Sequence, residues 1–414
     1  MSSHQCFNHE AVVAGSPKWQ TAISRIEPLY KRDIEIRSPF ARDYTRILHS
    51  TAYRRLKYKT QVFFAPENDH ICTRIDHVHY VESLSRLIAD YLGLNPMLAT
   101  AIALGHDLGH PPLGHEGERV LNCIMNEEGL NQGKSPAFWH ARSGLHYVDD
   151  LEILSGYDGR KHNLNLTYAV RDGIIAHSGA VSKPIRPREH AISLDDFNYP
   201  GEFEPFTWEG CIVKIADNIS YLGRDIDDAY TLGIIGDDEM HAYNAIIRTY
   251  AKTRGGDIEN TNNSNIIHLL VSDLCAFSTP ERGIGFSDEG QTSMDAVLTL
   301  NRKLIYHNQK LTAYYKKNGE QMLRAVFHVL KAIAENPNDQ KLHVEYPMTS
   351  KAFFGWLENY TDAFSPRKKD LANRVIYHRD DWENEYPYAV IDYLAGMTDR
   401  FVMRIYRELS GSSQ

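Results

Sequence analysis

Four ionisable residues of this chain stand where charge is costly. His77 lies in TRIDHVHYV, His106 and Asp107 are adjacent in ALGHDLGHPPLGHEGE, and Asp217 lies in VKIADNISYLGRDIDDA, each inside an apolar helical pattern. Such a group is tolerated there only when a partner or a metal satisfies it. Two imidazoles and two carboxylates suit one divalent ion of borderline hardness, such as Mn²⁺, Fe²⁺, Ni²⁺ or Zn²⁺, with positions left open for water and substrate. A single helical histidine is more often a satisfied core residue than a ligand, and an HD dipeptide alone carries little. The weight comes from a longer run.

In HDLGHPPLGHEGE, three histidines (His106, His110 and His115) fall within ten residues, and two prolines and three glycines break the helix where a cavity would be useful. If a new helix begins near Gly114, His115 and Glu118 stand at i and i+3 on one face. A carboxylate so placed orients an imidazole and stabilises its charge, as general acid–base catalysis requires.

The elements that must position these groups are helical. Apolar residues recur at spacings of three and four, as at Val78, Val81, Leu84, Leu87, Ile88 and Leu92, while period-2 patterns are nearly absent. The expected fold is therefore all-α. Helix starts are expected at Pro96 before MLATAIALGHDL and at Ser143 before GLHYVDDLEIL. Gly, Asn and Pro mark loops at 128–137, 155–163, 179–206, 254–265, 280–292 and 335–348. The organisation expected is an N-terminal segment at 1–36, a catalytic helical core at 37–235, and further helices at 236–414 packed on it.

The chain of 414 residues is long enough to bury a large core. A net charge of −9 argues against a protein that coats nucleic acid. Locally, residues 37–59 hold seven Lys or Arg against one acid, Asp43, and their place just before the ligand cluster points to phosphate handling. Five scattered cysteines without a CxxC pair indicate buried free thiols and neither a disulfide framework nor a thiolate zinc site. The amino terminus lacks a basic segment followed by an apolar one, and no stretch reaches the roughly 18 apolar residues of a membrane span, so a cytoplasmic enzyme without a membrane partner is expected.

The combination of RSPFARDYTRILHSTAYRRLKYKTQVF, TRIDH, HDLGHPPLGHEGE, NLNLTYAV, ADNISYLGRD and a late LAGMTDRF closely resembles the deoxyguanosinetriphosphate triphosphohydrolase-like family of the HD superfamily. The match runs in order through about 35–235 and again at 392–401. The resemblance implies an HD-domain helical core that hydrolyses deoxynucleoside triphosphates at the α-phosphate. It implies that His77, His106, Asp107 and Asp217 hold the metal, with Mn²⁺ or Mg²⁺ the foremost expectation, and that His115 and Glu118 form the catalytic pair with His110 at the reacting phosphate. It implies further that Arg74 meets the α-phosphate, that Tyr221 packs on the sugar and Asp225 binds its 3′-hydroxyl, that Gln61 and Val62 flank sugar and base, and that His140 is a further active-site histidine. Relatives are commonly hexamers or tetramers, so a homo-oligomer is implied, with a second deoxynucleotide or single-stranded DNA as a candidate effector.

Two departures stand out. His140-Ala141-Arg142-Ser143 replaces the family's His-Asn-Ala-Gln, and Asn218 replaces a second acid after Asp217. GLNQGKS at 129–135 imitates a phosphate-binding loop, but three residues separate its glycines and no apolar strand leads into it. It reads as a surface loop. The pairs Tyr314-Tyr315 and Tyr386-Tyr388 read as packing. Rival functions are an HD phosphohydrolase acting on another nucleotide or a nucleic-acid end, against which Tyr221 and Asp225 speak, and a non-catalytic nucleotide sensor, against which the intact ligand set speaks.

Overall fold

Residues 96–105, PMLATAIALG, are apolar on every side, so a helix here must be enclosed by others. The computed structural model describes residues 5–30, 34–64, 68, 70–131, 137–256, 262–308, 315–364 and 366–411. Its helices of seven residues or more in the first half are α1 (Pro39–His49), α2 (Arg74–Leu92), α3 (Pro96–Gly105), α4 (Gly114–Glu127), α5 (His140–His146), α6 (Tyr168–Ala176) and α7 (Trp208–Leu222). The second half adds α8 (Arg224–Thr231), α9 (Asp237–Thr253), α10 (Asn263–Phe277), α11 (Asp288–Asn301), α12 (Gln321–Glu335), α13 (Pro347–Leu357), α14 (Trp382–Ala395) and α15 (Asp399–Leu409). The fold is all-α, with one short antiparallel ladder, β1 (Ile153–Ser155) on β2 (Lys161–Asn163), among the described residues.

Helix α3 is the axis of the core. Asn95 caps it, its side chain accepting from Met97 N and Leu98 N, and Pro96 occupies the first turn, where a missing N–H costs nothing. Helices α1, α2, α6 and α7 surround it. Leu98, Ile102 and Leu104 are fully buried, each contributing about 1.5–3 kcal/mol of burial. Enclosure on all sides leaves His106, the residue after α3, no route to solvent.

The chain then turns through 106–113. A Cβ on Gly109 would lie 2.0 Å from Gly144 N, so only glycine lets this loop press against α5. Leu113 adopts a left-handed conformation, φ 65°, immediately before α4. The C-terminal helices pack onto this core: α12 lies on α4, α14 and α15, and Arg324 and Lys331 pair with Glu127 and Glu128 at the end of α4.

Some expectations change. The helix expected from Ser143 starts three residues earlier at His140, widens at Tyr147–Leu151, and hands Ile153–Ser155 to β1. The run 155–163 is mainly the returning hairpin, and 280–292 contains the start of α11, whose cap Ser287 accepts from Gly290 N. Ser-Asp-Glu-Gly reads as loop because caps and turns use the same residues. Cys72, Cys211 and Cys275 are buried thiols, but Cys6 is exposed and Cys123 half-buried. Tyr386 and Tyr388 pack against the core, their hydroxyls donating to Glu335 and Leu130 O. Residues 132–135 of the GLNQGKS segment, Tyr314, and the side chain of Tyr315 lie outside the described residues. Among those described, no helix is long and apolar enough to cross a membrane.

Candidate functional site

The four expected metal ligands arrive from three helices and meet at one point. His77 is on the first turn of α2, Asp217 on α7, and His106 with Asp107 just past α3. His77 Nε2 lies 3.0 Å from Asp217 Oδ1, 3.4 Å from His106 Nε2 and 3.6 Å from Asp107 Oδ2. His106 Nε2 is 3.6 Å from Asp107 Oδ2 and 3.8 Å from Asp217 Oδ1.

The partners behind the rings fix their tautomers. His106 Nδ1 donates to Ala103 O at 2.6 Å, and His77 Nδ1 faces the Ser220 hydroxyl at 3.2 Å, whose own proton goes to Asp217 O. Each Nε2 therefore presents a lone pair to the other, beside two carboxylates, an arrangement that calls for a cation. Metal–ligand bonds of about 2.0–2.2 Å separate neighbouring donors by about 3.0–3.5 Å. The residues fit a divalent ion. With no ion bound, burial works against the charge of Asp217, but a proton between His77 Nε2 and Asp217 Oδ1 holds that carboxyl down at about 2, and a metal would take the place of this proton. Asp107 is likewise held well below the carboxylate range, burial being outweighed by His106, His110 and Arg74.

The other half of the site is an imidazole cluster on the far side of Asp107. His110 Nε2 lies 3.1 Å from Asp107 Oδ1, and its ring stacks on His140 at 4.0 Å between centroids. Burial, then Arg74 and His140, keep His110 neutral, its pKa well below that of a free imidazole. Helix α4 begins at Gly114 and brings His115 and Glu118 onto one face. Their separation is 3.8 Å, whereas Glu118 Oε2 is 3.0 Å from His140 Nδ1. The His115 side chain is 73% exposed, and the His140 side chain only 13%. Glu118 thus serves two imidazoles, and the buried one is the closer.

His140 Nε2 faces His177 Nε2 at 3.3 Å, while His177 Nδ1 donates to Ile174 O at 2.7 Å. His177 can then only accept at Nε2, so His140 meets both neighbours best as a cation. Its pKa is raised: burial opposes the charge and Glu118 overrides it. Burial and then His106 push His177 down to about 3. Sequence reading missed His177, yet a signal existed. RDGIIAHSG ends an apolar helix on a histidine as PMLATAIALGH does, and both rings bond the carbonyl three residues back.

One cavity of about 260 Å³ joins the two halves and is also lined by Gln61, Val62, Arg74, Tyr221 and Asp225. Arg74 is buried, donating from Nη1 to Asp107 Oδ2 at 2.8 Å and from Nη2 to Gln61 O at 2.9 Å. The Tyr221 hydroxyl donates to Asn218 Oδ1 at 3.2 Å, so Asn218 supplies an acceptor there without a charge. Asp225 accepts from the Tyr306 hydroxyl, and burial pushes its pKa up to about 7 against that bond. Tyr306 was another residue not singled out from the sequence.

The basic run 37–59 does not enter this cavity. Arg46 donates to the carbonyls of Asn163 and Leu164, Arg55 to Glu152, and Arg37 to Glu35. Among the described residues, Arg74 is the one Lys or Arg lining the cavity. The expectation of phosphate handling by the run is corrected: in a charge-rich helical segment, guanidinium groups find backbone and carboxylate partners nearer to hand.

Comparison with known families matches residues 74–222 to the HD domain and 360–408 to the phosphohydrolase-associated domain. Relatives along nearly the whole chain carry the name deoxyguanosinetriphosphate triphosphohydrolase-like protein. The one from Desulfatibacillum aliphaticivorans is 31% identical, covering 90% of this chain and 88% of its own length. That from Bradyrhizobium diazoefficiens is 31% identical over 91% of each chain, and that from Caldanaerobacter subterraneus 31% identical over 91% of this chain and 86% of its own.

Proposed function

The chain belongs to the deoxyguanosinetriphosphate triphosphohydrolase-like family of HD-domain hydrolases, and from that premise we propose that it cleaves deoxynucleoside triphosphates at the α-phosphate, releasing a deoxynucleoside and tripolyphosphate. The supporting observation is one cavity lined by His77, Asp107 and Asp217 of the ligand cluster, by Tyr221 and Asp225, residues able to hold a sugar, and by His115 and His140, the two imidazoles that Glu118 serves. A site for phosphoryl chemistry on a substrate without a sugar has no need of that third corner.

In this reading His77, His106, Asp107 and Asp217 hold the divalent ion, Mn²⁺ or Mg²⁺ being the first choices. Bound there, such an ion polarises a phosphoryl oxygen and lowers the pKa of water from about 16 toward 7. Arg74 contributes a fixed positive charge to the cavity wall where the α-phosphate would lie. Water adds to the α-phosphorus, the bond from phosphorus to the 5′-oxygen breaks, and that oxygen takes a proton. His115, which reaches the cavity, donates it. Glu118 orients His115, and the buried His140 cation keeps Glu118 ionised. His110, neutral, orients Asp107 and meets the phosphate edge. Tyr221 closes on the C2′ face, where a ribose hydroxyl would lose its water without gaining a partner, about 1–3 kcal/mol. Gln61 and Val62 flank sugar and base. We infer a homo-oligomer as well, which light scattering reads, with a second nucleotide or single-stranded DNA as a candidate effector.

The test is purified protein with Mn²⁺ and each of the four deoxynucleoside and ribonucleoside triphosphates, products resolved by chromatography. Deoxynucleoside plus intact tripolyphosphate is expected, with deoxyribose preferred. A nucleoside monophosphate product, or equal use of ribose, would move the chain to another HD phosphohydrolase reaction.

A further inference from the structure

The last helix meets the candidate site through a buried carboxylate. Asp399 opens α15, and its Oδ2 accepts from Thr60 N at 2.8 Å and from the Thr60 hydroxyl at 2.5 Å, while Oδ1 accepts from Leu113 N at 2.9 Å. Each end of this clamp leads into the cavity. The carbonyls of Thr60 and Gln61 accept from Arg74 Nε at 3.2 Å and Nη2 at 2.9 Å. Leu113 is the residue from which α4 departs with His115 and Glu118, and its left-handed backbone is one that a side chain disfavours, so something must hold it. Beside the carboxylate, the buried Lys59 amine donates to the carbonyls of His110 and Ala395, tying the same three segments again.

We propose that Asp399 is a positioning residue. Through Thr60 and Leu113 it fixes the Arg74 wall and the start of the His115–Glu118 helix relative to each other, so the C-terminal region completes the site. All three groups facing its oxygens are donors. An amide therefore cannot replace it, because its NH₂ would confront an N–H at one end of the clamp.

The same helix supplies a control. Glu408 accepts from Met348 N at 2.8 Å, Thr349 N at 3.1 Å and the Thr349 hydroxyl at 2.5 Å, the same chemistry away from the cavity. The experiment compares Asp399→Asn with Glu408→Gln in the full chain by kcat, bound metal, melting temperature and hydrogen exchange of the peptides around 59–63 and 108–118. Asp399→Asn should lower kcat about 10- to 100-fold with metal retained, and exchange at 108–118 should quicken about tenfold. Glu408→Gln should lower the melting temperature without either change. Should Asp399→Asn not accumulate folded, Thr60→Val removes only the hydroxyl donor and should give the same two changes more weakly. The proposal is overturned if kcat stays within about twofold of wild type, or if exchange at 108–118 is no faster than in Glu408→Gln. Turnover here rests on the proposed function. A wild type that hydrolyses no deoxynucleotide would sink that reading, while the exchange comparison would still decide the role of Asp399.

Discussion

The two halves of the cavity are built by different means. On the side of His77, His106 and Asp217, each ligand stands on a helix or at its end, and the bond fixing each imidazole comes from within a few residues or from the neighbouring helix, Ala103 O for His106 and Ser220 for His77. On the side of His110, His115, Glu118 and His140, the groups come from the 106–113 loop, the first two turns of α4 and the start of α5, and distant contacts fix them: Glu118 to His140, and Asp399 to Leu113. The first half needs only the core of α2, α3 and α7. The second needs α5, α6 and the C-terminal helices as well. Rigid local support suits metal binding, where donors must converge before the ion arrives. Long-range support suits proton transfer, where one carboxylate must serve two imidazoles.

The comparison predicts a graded set of losses. Replacing His106 or Asp107 by Ala should remove bound metal and activity together, because a chelate losing one of four donors loses affinity steeply. Metal analysis beside the turnover assay reads this, and stoichiometric metal with full turnover in either variant would break the assignment. Glu118→Gln should leave metal content unchanged and lower kcat by about 10²–10⁴. His140→Asn should lower kcat as well, and the double variant should fall little further than Glu118→Gln alone, since both act through one ion pair. If the two losses multiply instead, His140 acts apart from Glu118.

The smallest effect lies outside both halves, where α5 meets α14. His146 Nδ1 is 2.9 Å from Asp150 Oδ2 and its Nε2 3.0 Å from Asp392 Oδ2. Burial opposes the charge, but the two carboxylates lift the His146 pKa to about 10. A folded-state pKa above the unfolded value of about 6.5 gives stability that is full below about 6.5, declines as pH rises, and is gone above about 10. The melting temperature of wild type should therefore fall across that window, with kcat per folded molecule little changed. His146→Gln should melt lower at pH 6 and flatten the profile. A profile as steep in the variant as in wild type would remove His146 as its source.

The difference between the halves also explains what could be read from the sequence. His77, His106, Asp107 and Asp217 were legible because an ionisable group in an apolar helical pattern is conspicuous, and α3 and α4 were legible from Pro96 and Gly114. The i, i+3 spacing of His115 and Glu118 was legible too, and they do share a face. Spacing could not say that Glu118 lies nearer to His140, 22 residues on, because that contact depends on how α5 presses against Gly109. His177 and Tyr306 were missed for the same reason: each matters only through a partner far away in the chain. The basic run misled because local charge density does not report which way side chains point.

Hydrolysis in ¹⁸O-labelled water tests the central claim most directly, with deoxynucleoside and tripolyphosphate separated and weighed by mass spectrometry. Attack at the α-phosphorus predicts one ¹⁸O in tripolyphosphate and none in the deoxynucleoside. Label on the 5′-oxygen of the nucleoside, or its recovery in a monophosphate or pyrophosphate, would contradict the account.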